Sequence, residues 1–345
     1  MRLPRDIVIG PWVLRSVGDV CKNLGFSSSV LILAGPHTYG IAGKDAADML
    51  EEKGFSVNNL IVEKPEMKYV NKARKVIQGF KPEAVLGVGG GKVIDVAKLS
   101  SSLEDVPFIS VPTAASHDGI SSSRASIKDS GSPTSMSVQA PIAIIADTDV
   151  IARSPYRLIA SGCGDIVAKY TAVRDWRLAH KLKGQYYGEY AASLALMSAK
   201  LILRNAAVIH DNVEESVRVV LEALISCGVA MSIAGSSGPC SGAEHLFSHA
   251  LDMIAPKPAL HGEQCGVGTI MMAYLHRINW RMIKEKLGRI GSPTTADELG
   301  IEPRYIVEAL TMAHKVRPER YTILGESGLS KEAAERLARV TGVID

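Results

Sequence analysis

Histidines with the spacing of a metal site stand in the second half of the chain. His245 and His249 lie four residues apart in SGAEHLFSHALD, so both imidazoles project from one face of a helix. His261 follows in PALHGEQCGVG, after prolines whose turn could bring it back beside the first of these histidines, His245. One or both of the paired histidines could bind a metal ion, although such pairs more often face solvent or a satisfied core.

Asp165 could supply a carboxylate to the same site. It stands among glycines in SGCGDIVAKY, near the expected start of a helix, where an aspartate either caps the helix or binds a ligand. Capping is the commoner role. One aspartate and two imidazoles would form a donor set that suits Zn²⁺ or a similar divalent ion and leaves one position open for an alcohol.

A run of glycines could bind the phosphates of a nucleotide. In AVLGVGGGKVIDVAKLSS an apolar strand precedes the glycines and an amphipathic helix follows them, so backbone N–H groups and the helix N-terminus can approach a pyrophosphate. The alternative is a tight turn without a ligand, and the GxGxxG fingerprint is absent. The residues of this candidate cradle are Gly89, Gly90, Gly91, Lys92 and Val93.

A second polar loop, VPTAASHDGISSS, follows the next strand, at the edge of the sheet where open α/β folds bind ligands. Asp118 in this loop could hold a substrate hydroxyl. An ordinary Ser/Thr-rich turn is the alternative. The candidate cofactor contacts here are Thr113, Ala114, Ala115, Ser116 and Ser122.

The elements around these loops indicate a doubly wound parallel sheet in the first part of the chain. Short β-rich runs alternate there with amphipathic helical stretches, as in βαβ units. A Ser/Gly/Pro-rich segment at 121–137 predicts an irregular hairpin inserted before the last strand. The strands are expected at 7–9, 30–33, 57–62, 84–88, 107–111 and 142–145, and the helices at 14–24, 44–53, 66–80 and 93–102.

After residue 149 the strand-like runs stop and long Ala/Leu/Met-rich helical patterns follow, at 158–179, 187–208 and 213–233. A chain of 345 residues is also too long for one ordinary core. We therefore expect an α/β, Rossmann-like N-terminal domain with a parallel sheet at 1–150 and an all-α C-terminal domain at 151–345, with a cleft between them.

Composition excludes several classes of protein. Hydrophobic residues make up 46% and the formal charge is only +3, with basic residues scattered, so neither nucleic acid nor a membrane surface is an expected partner. The five cysteines form no CxxC pair, which is typical of a protein in a reducing compartment. The N-terminus MRLPRDIVIG is too charged for a signal peptide. We expect a soluble, cytoplasmic protein.

Several of these motifs together carry a resemblance. GGGKVIDVAK, PTAASHDGISS, GCGDIVAK, GAEHLFSHALD and LHGEQCGVG occur in an order that resembles the superfamily of iron-type alcohol dehydrogenase, glycerol dehydrogenase and dehydroquinate synthase, over nearly the whole chain. Within it the SHDG loop makes the chain look like the archaeal glycerol-1-phosphate dehydrogenases. The resemblance implies a dehydroquinate synthase-like fold and a homo-oligomer.

The resemblance also implies residue roles. Asp165, His245 and His261 would ligate one Zn²⁺ per subunit, and Asp118, Asp165 and His249 would bind substrate and take part in catalysis. NAD(P)H would contact Gly89, Gly90, Gly91, Lys92, Val93, Thr113, Ala114, Ala115, Ser116 and Ser122.

The implied reaction is the reversible, NAD(P)H-dependent reduction of dihydroxyacetone phosphate to sn-glycerol 1-phosphate, which supplies the backbone of archaeal-type membrane lipids. For this reaction we expect His249 or a metal-bound water to deliver the proton. Arg124 and Lys128, just beyond the SHDG loop, are the nearest candidates in the sequence to hold the substrate phosphate. The alternatives are a glycerol or other small-polyol dehydrogenase, a dehydroquinate synthase-like lyase, and a non-catalytic nucleotide-binding module. We expect use of both NADH and NADPH.

Overall fold

The computed structural model of the chain describes residues 3–129, 132–211 and 213–345. The chain divides into two compact units, one that ends at Pro155 and one that begins at Tyr156.

A six-stranded sheet forms the centre of the first unit. All neighbouring strands in it are parallel, and their order is β1-β8-β5-β4-β2-β3. The prediction of a doubly wound parallel sheet is confirmed, and each expected run is a strand because apolar runs of this length can be buried on both faces of a sheet. The strands are β1 Asp6–Gly10, β2 Ser29–Ala34, β3 Ser56–Ile61, β4 Ala84–Gly89, β5 Phe108–Pro112 and β8 Ala143–Asp147.

The segment inserted before β8 forms the expected hairpin. Its strands, β6 Arg124–Asp129 and β7 Ser132–Ser137, pair in antiparallel register as a separate two-stranded ribbon. In the described residues of the first unit, the α-helices are α1 Val17–Asn23, α2 Pro36–Thr38, α3 Lys44–Glu52, α4 Met67–Phe80, α5 Gly91–Leu103 and α6 Thr148–Ala152.

The strand ends place both candidate ligand loops at one edge of the sheet. β4 and β5 are neighbours, and Gly89, the last residue of β4, pairs with Pro112, the last residue of β5. Since the two strands are parallel, the glycine turn and the polar loop leave the sheet side by side.

The second unit is helical, as predicted, and no strand follows β8 in the described part of the chain. Its first helix is longer than expected, and the pattern at 187–208 divides into two helices. The helices are α7 Tyr156–Lys183, α8 Glu189–Arg204, α9 Ala206–Asp211, α10 Val213–Ala234, α11 Ala243–Ile254, α12 His261–Leu275, α13 Trp280–Ile290, α14 Ala296–Leu299, α15 Pro303–Val316 and α16 Lys331–Val340.

Among the described residues, α10 alone is long and apolar enough to cross a membrane, with a mean hydropathy of 1.8 over 18 of its residues. It packs against α7 and α8. Val217, Leu221 and Leu224 on this helix have no solvent exposure. The core helices of soluble domains share this pattern.

Candidate functional site

Two helices of the second unit approach each other closely at glycines. A β-carbon built on Gly164 of α7 would lie 2.3 Å from the carbonyl oxygen of Gly262 in α12. One built on Gly262 would lie 1.8 Å from the carbonyl oxygen of Ser161. Only glycine leaves room for this contact. The close approach brings Asp165 of α7 beside His261, the first residue of α12.

Four side chains from α7, α11 and α12 converge next to this contact. The ligand atoms of Asp165, His245, His261 and Cys265 all lie within 4.8 Å of one another. His245 Nε2 lies 3.4 Å from Asp165 Oδ1, and the ring centroids of His245 and His261 are 5.1 Å apart. We call these four residues the donor cluster. It contains the three residues named from the sequence and adds a thiol.

Asp165 lies inside a helix and not at its start. Because α7 begins at Tyr156, the capping role considered from the sequence does not apply. The carboxylate is buried, and Lys169, one turn later, donates a hydrogen bond of 2.5 Å to its Oδ1. Burial raises the pKa of Asp165, but Lys169 and His245 outweigh burial and hold that pKa well below its ordinary value. The carboxylate is therefore ionised at neutral pH.

A second buried carboxylate orients His245. Glu244 Oε1 lies 2.9 Å from His245 Nδ1, and the Gly242 N–H and the Thr171 hydroxyl donate to the two oxygens of Glu244. Burial raises the pKa of Glu244, but the hydrogen bond from His245 and its charge lower it more. An ionised Glu244 accepts a hydrogen bond from the Nδ1–H of His245 and leaves Nε2 directed at the donor cluster.

His261 is held in a similar way. Its Nδ1 lies 3.2 Å from the hydroxyl oxygen of Ser248, and Gln264 donates a 2.9 Å hydrogen bond to that same hydroxyl oxygen. The Nε2 atom of His261 lies 3.6 Å from Cys265 Sγ. Hydrogen bonds outside a metal site commonly fix the tautomer and direction of a histidine ligand in this manner.

The chemistry of the donor cluster fits a divalent ion such as Zn²⁺. A carboxylate oxygen and two imidazole nitrogens face one another in a buried space, which is the three-ligand set of many catalytic zinc sites. Burial lowers the pKa of His245, but Cys265, Asp165 and Glu244 raise it well above its ordinary value. A dication could take the place of that imidazolium proton, because both would be stabilised by the same carboxylates.

His249 lies beside the donor cluster but outside it. Its ring stacks on that of His261, with centroids 5.7 Å apart. Its Nδ1 has no hydrogen-bond partner among the described residues and lies 3.9 Å from Asp252 Oδ2. Burial lowers the pKa of His249, although Asp252 acts in the opposite direction. The two histidines of the i, i+4 pair therefore have different environments, and His245 alone of the two joins the cluster.

In the glycine turn of the first unit, a side chain could be added without a clash at only one of the three glycines. A β-carbon on Gly89 would lie 2.9 Å from Val93, and one on Gly91 would lie 1.7 Å from His117 Nε2. At Gly90 a β-carbon would meet no atom within 4 Å. Gly91 and Lys92 begin α5, so their N–H groups have no acceptor one helical turn earlier. These N–H groups can bind an anion that approaches over Gly90.

The polar loop is tied to α5 by two buried charged residues. Lys98 has no solvent exposure and donates hydrogen bonds of 2.5 Å to the Gly119 carbonyl and 2.8 Å to the Arg124 carbonyl. Asp95 accepts a hydrogen bond of 3.1 Å from the Ser126 N–H. The segment that directly follows Asp118 is therefore fixed, at Gly119, Arg124 and Ser126, to the helix that follows the glycine turn.

The other predicted residues of this loop lie close to the glycine turn. The Thr113 N–H donates to the Gly89 carbonyl at 3.1 Å. Ser116 and Asp118 are partly exposed, whereas Ala114, Ala115 and Ser122 are buried. The partly exposed side chains are the better placed to meet a ligand, and the buried residues could offer backbone groups only.

Comparison with known proteins identifies the family. The chain is 59% identical over 344 residues to a protein of Thermococcus sibiricus named glycerol-1-phosphate dehydrogenase (NAD(P)+), an alignment that covers 100% of this chain and 98% of that protein. A protein of Methanothermobacter thermautotrophicus with the same name is 56% identical, with 100% and 99% covered. The chain belongs to the glycerol-1-phosphate dehydrogenase family. Residues 8–155 also match the family model of iron-containing alcohol dehydrogenases.

Solved structures agree with the fold of this glycerol-1-phosphate dehydrogenase family member. Glycerol dehydrogenase of Schizosaccharomyces pombe has a TM-score of 0.77 at 22% identity and covers 99% of this chain and 89% of its own. An iron-containing alcohol dehydrogenase of Thermococcus thioreducens has a TM-score of 0.77 at 16% identity, with 99% of both chains covered. At these identities the likeness concerns the fold alone.

Three side chains that contact the predicted metal ligands were not identified from the sequence. They are Lys169, Glu244 and Cys265. Lys169 and Cys265 each follow a predicted ligand by four residues, a spacing that puts side chains on one helix face and could have revealed them. Nothing in the spacing marks Glu244, because adjacent residues on a helix do not normally face each other.

Of the two basic residues predicted to hold a substrate phosphate, only Arg124 has a side chain that the structure describes. Arg124 donates to the hydroxyl and the carbonyl oxygen of Ser135, so part of its guanidinium supports the hairpin. The side chain of Lys128 lies outside the described part of the structure. Arg124 therefore has a hairpin partner that the sequence did not indicate.

Proposed function

We propose that this chain is an NAD(P)H-dependent, metal-assisted dehydrogenase that interconverts dihydroxyacetone phosphate and sn-glycerol 1-phosphate. The observation that carries the proposal is the donor cluster, in which the ligand atoms of Asp165, His245 and His261 lie within 4.8 Å of one another. Its full-length relatives in the same family are named for the oxidation of glycerol 1-phosphate with NAD(P)+.

Asp165, His245 and His261 are proposed to hold the metal ion. A divalent ion bound there would act as a Lewis acid on the substrate carbonyl, and NAD(P)H would supply the hydride. Lys169 keeps the Asp165 carboxylate ionised and in place, and Glu244 keeps His245 Nε2 directed at the donor cluster, where the ion would be held. Zn²⁺ is the ion that this donor set favours.

His249 and Asp118 are proposed to contact the substrate. His249 stacks on His261 and presents an imidazole next to the donor cluster. In this position it can accept the proton of the substrate hydroxyl in the oxidation and return it in the reduction. Asp118 is partly exposed in the polar loop and can accept a hydrogen bond from a substrate hydroxyl.

Cofactor binding is proposed for the first domain, residues 1–150, which would also contribute Asp118 to the substrate, and metal and substrate binding for the second, residues 151–345. Gly89 to Val93 would bind the pyrophosphate through backbone N–H groups. Thr113, Ala114, Ala115, Ser116 and Ser122 would add hydroxyl and backbone contacts. Either reduced nicotinamide would serve.

The wider setting follows from the same proposal. The product would supply the glycerophosphate backbone of membrane lipids, and the enzyme would work in the cytoplasm. We also propose a homo-oligomer, because Tyr190, Met197 and Leu201 on α8 leave 74%, 59% and 37% of their surfaces exposed. Exposed apolar side chains along one helix commonly form an interface between subunits.

Steady-state assays with the purified chain test the proposal. We expect oxidation of NADH and of NADPH to depend on dihydroxyacetone phosphate, to stop after dialysis against a chelator and to return with Zn²⁺. Asp165→Asn should lower kcat/KM by about a thousandfold or more, because it weakens the metal site. The exposed Asp211→Asn on α9 is the matched control and should leave the rate unchanged.

Two outcomes would contradict the proposal. Faster turnover of unphosphorylated glycerol than of glycerol phosphate would assign the chain to polyol oxidation. Full activity after complete metal removal would exclude the role of the donor cluster. A product that a 3-phosphate-specific dehydrogenase oxidises would overturn the assigned stereochemistry alone.

A further inference from the structure

The thiol of Cys265 is the fourth potential metal ligand of the donor cluster. Its Sγ lies 3.6 Å from His261 Nε2 and within 4.8 Å of the ligand atoms of Asp165 and His245. The side chain has no solvent exposure. The 3.6 Å separation is close to that between two ligands of one tetrahedral ion, since metal–sulfur and metal–nitrogen bonds are roughly 2.3 and 2.1 Å long.

Helix geometry explains why the sulfur and the imidazole meet. Cys265 follows His261 by one helical turn in α12, so the two side chains project from the same face. The contact between Gly164 and Gly262 holds that face against α7, where Asp165 lies. The chain has four other cysteines, Cys21, Cys163, Cys227 and Cys240, and none belongs to the donor cluster.

Once a dication is bound, the charges around the cluster are balanced by one further negative ligand. Asp165 and Glu244 carry two negative charges and Lys169 one positive charge, and all three side chains are buried. With a dication in place and neutral histidines, this group has one excess positive charge. A thiolate at Cys265 would neutralise it, which matters because an uncompensated charge away from water is costly.

We infer that Cys265 binds the metal ion as a thiolate in the substrate-free protein, beside Asp165, His245 and His261. The inference rests on the metal centre of the proposed function. When the ion binds, the S–H bond breaks, a metal–sulfur bond forms and the proton leaves to solvent. Substrate access then requires the thiolate to leave or the coordination number to rise to five. A soft donor at this position favours Zn²⁺, Co²⁺ and Cd²⁺ over Mg²⁺ and Mn²⁺.

Spectroscopy of the full chain loaded with Co²⁺ tests this inference without an activity assay. A thiolate ligand gives Co²⁺ a near-ultraviolet charge-transfer band, which oxygen and nitrogen ligands do not. We expect this band in the substrate-free protein, its loss in Cys265→Ser and Cys265→Ala, and its retention in Cys240→Ser. Cys240 is a buried cysteine of the same unit whose thiol contacts the Cys227 carbonyl.

The visible bands of bound Co²⁺ separate this inference from the metal centre itself. Visible bands without the charge-transfer band in the unmodified protein would overturn the role of Cys265 and leave the metal centre standing. A charge-transfer band that survives in Cys265→Ser would have the same meaning. The absence of all Co²⁺ bands would overturn both proposals.

Metal affinity provides a second measurement. In competition with a chelator, Cys265→Ser should bind Cd²⁺ about tenfold to a hundredfold more weakly, whereas its affinity for Mn²⁺ should change little. Equal changes for the two ions would contradict thiolate ligation. Circular dichroism of each variant, compared with that of Cys240→Ser, shows whether the fold is retained.

Discussion

Lys169 Nζ lies 2.5 Å from Asp165 Oδ1, and both side chains are buried. They stand one turn apart on α7, so the helix itself sets their separation. Burial of two charges is unfavourable unless each has a close partner. The ammonium group therefore compensates the carboxylate of the proposed metal ligand in the protein without metal.

This pairing predicts a stability effect that depends on metal. Lys169→Met removes the ammonium group and retains most of the side-chain volume. We expect the free energy of unfolding of chelator-treated protein to fall by about 3 kcal/mol, because the buried Asp165 carboxylate loses its nearer cationic partner. The loss should be smaller with Zn²⁺, which would compensate Asp165 itself.

Urea unfolding with chelator and with Zn²⁺ measures both values. Lys200→Met, at an exposed position on α8, is the matched control and should change the free energy of unfolding by no more than about 0.5 kcal/mol. An equal loss for Lys169→Met in the two conditions would show that the ion does not share Asp165 with Lys169.

The geometry of the glycine turn predicts that a substitution at Gly90 weakens cofactor binding without affecting folding. Gly90 has φ −81° and ψ −176°, an extended conformation open to any residue, and a β-carbon there would meet no atom within 4 Å. Gly90→Ala should therefore fold normally. We expect its dissociation constant for NADH to rise about tenfold, because the methyl group would occupy the approach of the pyrophosphate to the backbone N–H groups.

Fluorescence titration with NADH measures this change. Gly79→Ala is the matched control, because Gly79 is an exposed glycine of α4 at which an added β-carbon also meets no atom within 4 Å. It should bind NADH normally and gain stability of up to about 1 kcal/mol from better helix propensity. Unchanged NADH affinity in Gly90→Ala would exclude the glycine turn from pyrophosphate binding.

The sheet could be predicted from the sequence because its signals are local. The run at 84–88 contains apolar residues and glycine and ends at a glycine turn, and β4 spans Ala84–Gly89. Burial of β4 on both faces requires such an uninterrupted run. The inserted hairpin was predictable for the same reason, since Ser, Gly and Pro surround its short apolar centre.

The surroundings of the site could not be predicted in this way, because they depend on contacts between helices. Asp165 seemed suited to a helix start, since glycines weaken a helix. In the structure those glycines are helical, and Gly164 gives α12 the space to approach. Burial of Lys169 and Cys265 results from that approach, and it has no counterpart in hydrophobic periodicity.

Glu244 predicts a change in metal affinity. Glu244→Gln keeps the shape of the side chain but removes its negative charge. In the unmodified protein, Glu244 Oε1 accepts a hydrogen bond of 2.9 Å from His245 Nδ1. We expect the affinity for Zn²⁺ to fall about tenfold to a hundredfold, as it does when other groups that orient a histidine ligand are replaced.

Competition with a chromophoric chelator measures the Zn²⁺ affinity of Glu244→Gln. Glu222→Gln at a half-exposed pair on α10 should leave the affinity unchanged, and the same result for Glu244→Gln would exclude the orienting role.

Glu83 predicts a pH dependence of stability in the first unit. Its Oε2 accepts hydrogen bonds of 2.7 Å from the backbone N–H groups of Ser27 and Ser28, which lower its pKa from the ordinary value of 4.5. A carboxyl whose pKa is lower in the folded state stabilises the fold above its unfolded pKa, and this contribution disappears as the pH falls through the folded pKa. Glu83→Gln should therefore lower the free energy of unfolding by about 1 kcal/mol near neutral pH, after allowance for solvent screening. This loss should become smaller as the pH falls through the pKa of Glu83 in the folded state.

Urea unfolding across this pH range measures the difference between Glu83→Gln and the unmodified protein, with the exposed Glu51→Gln as control. A cost that stayed constant with pH would show that the charge of Glu83 does not stabilise the start of β4.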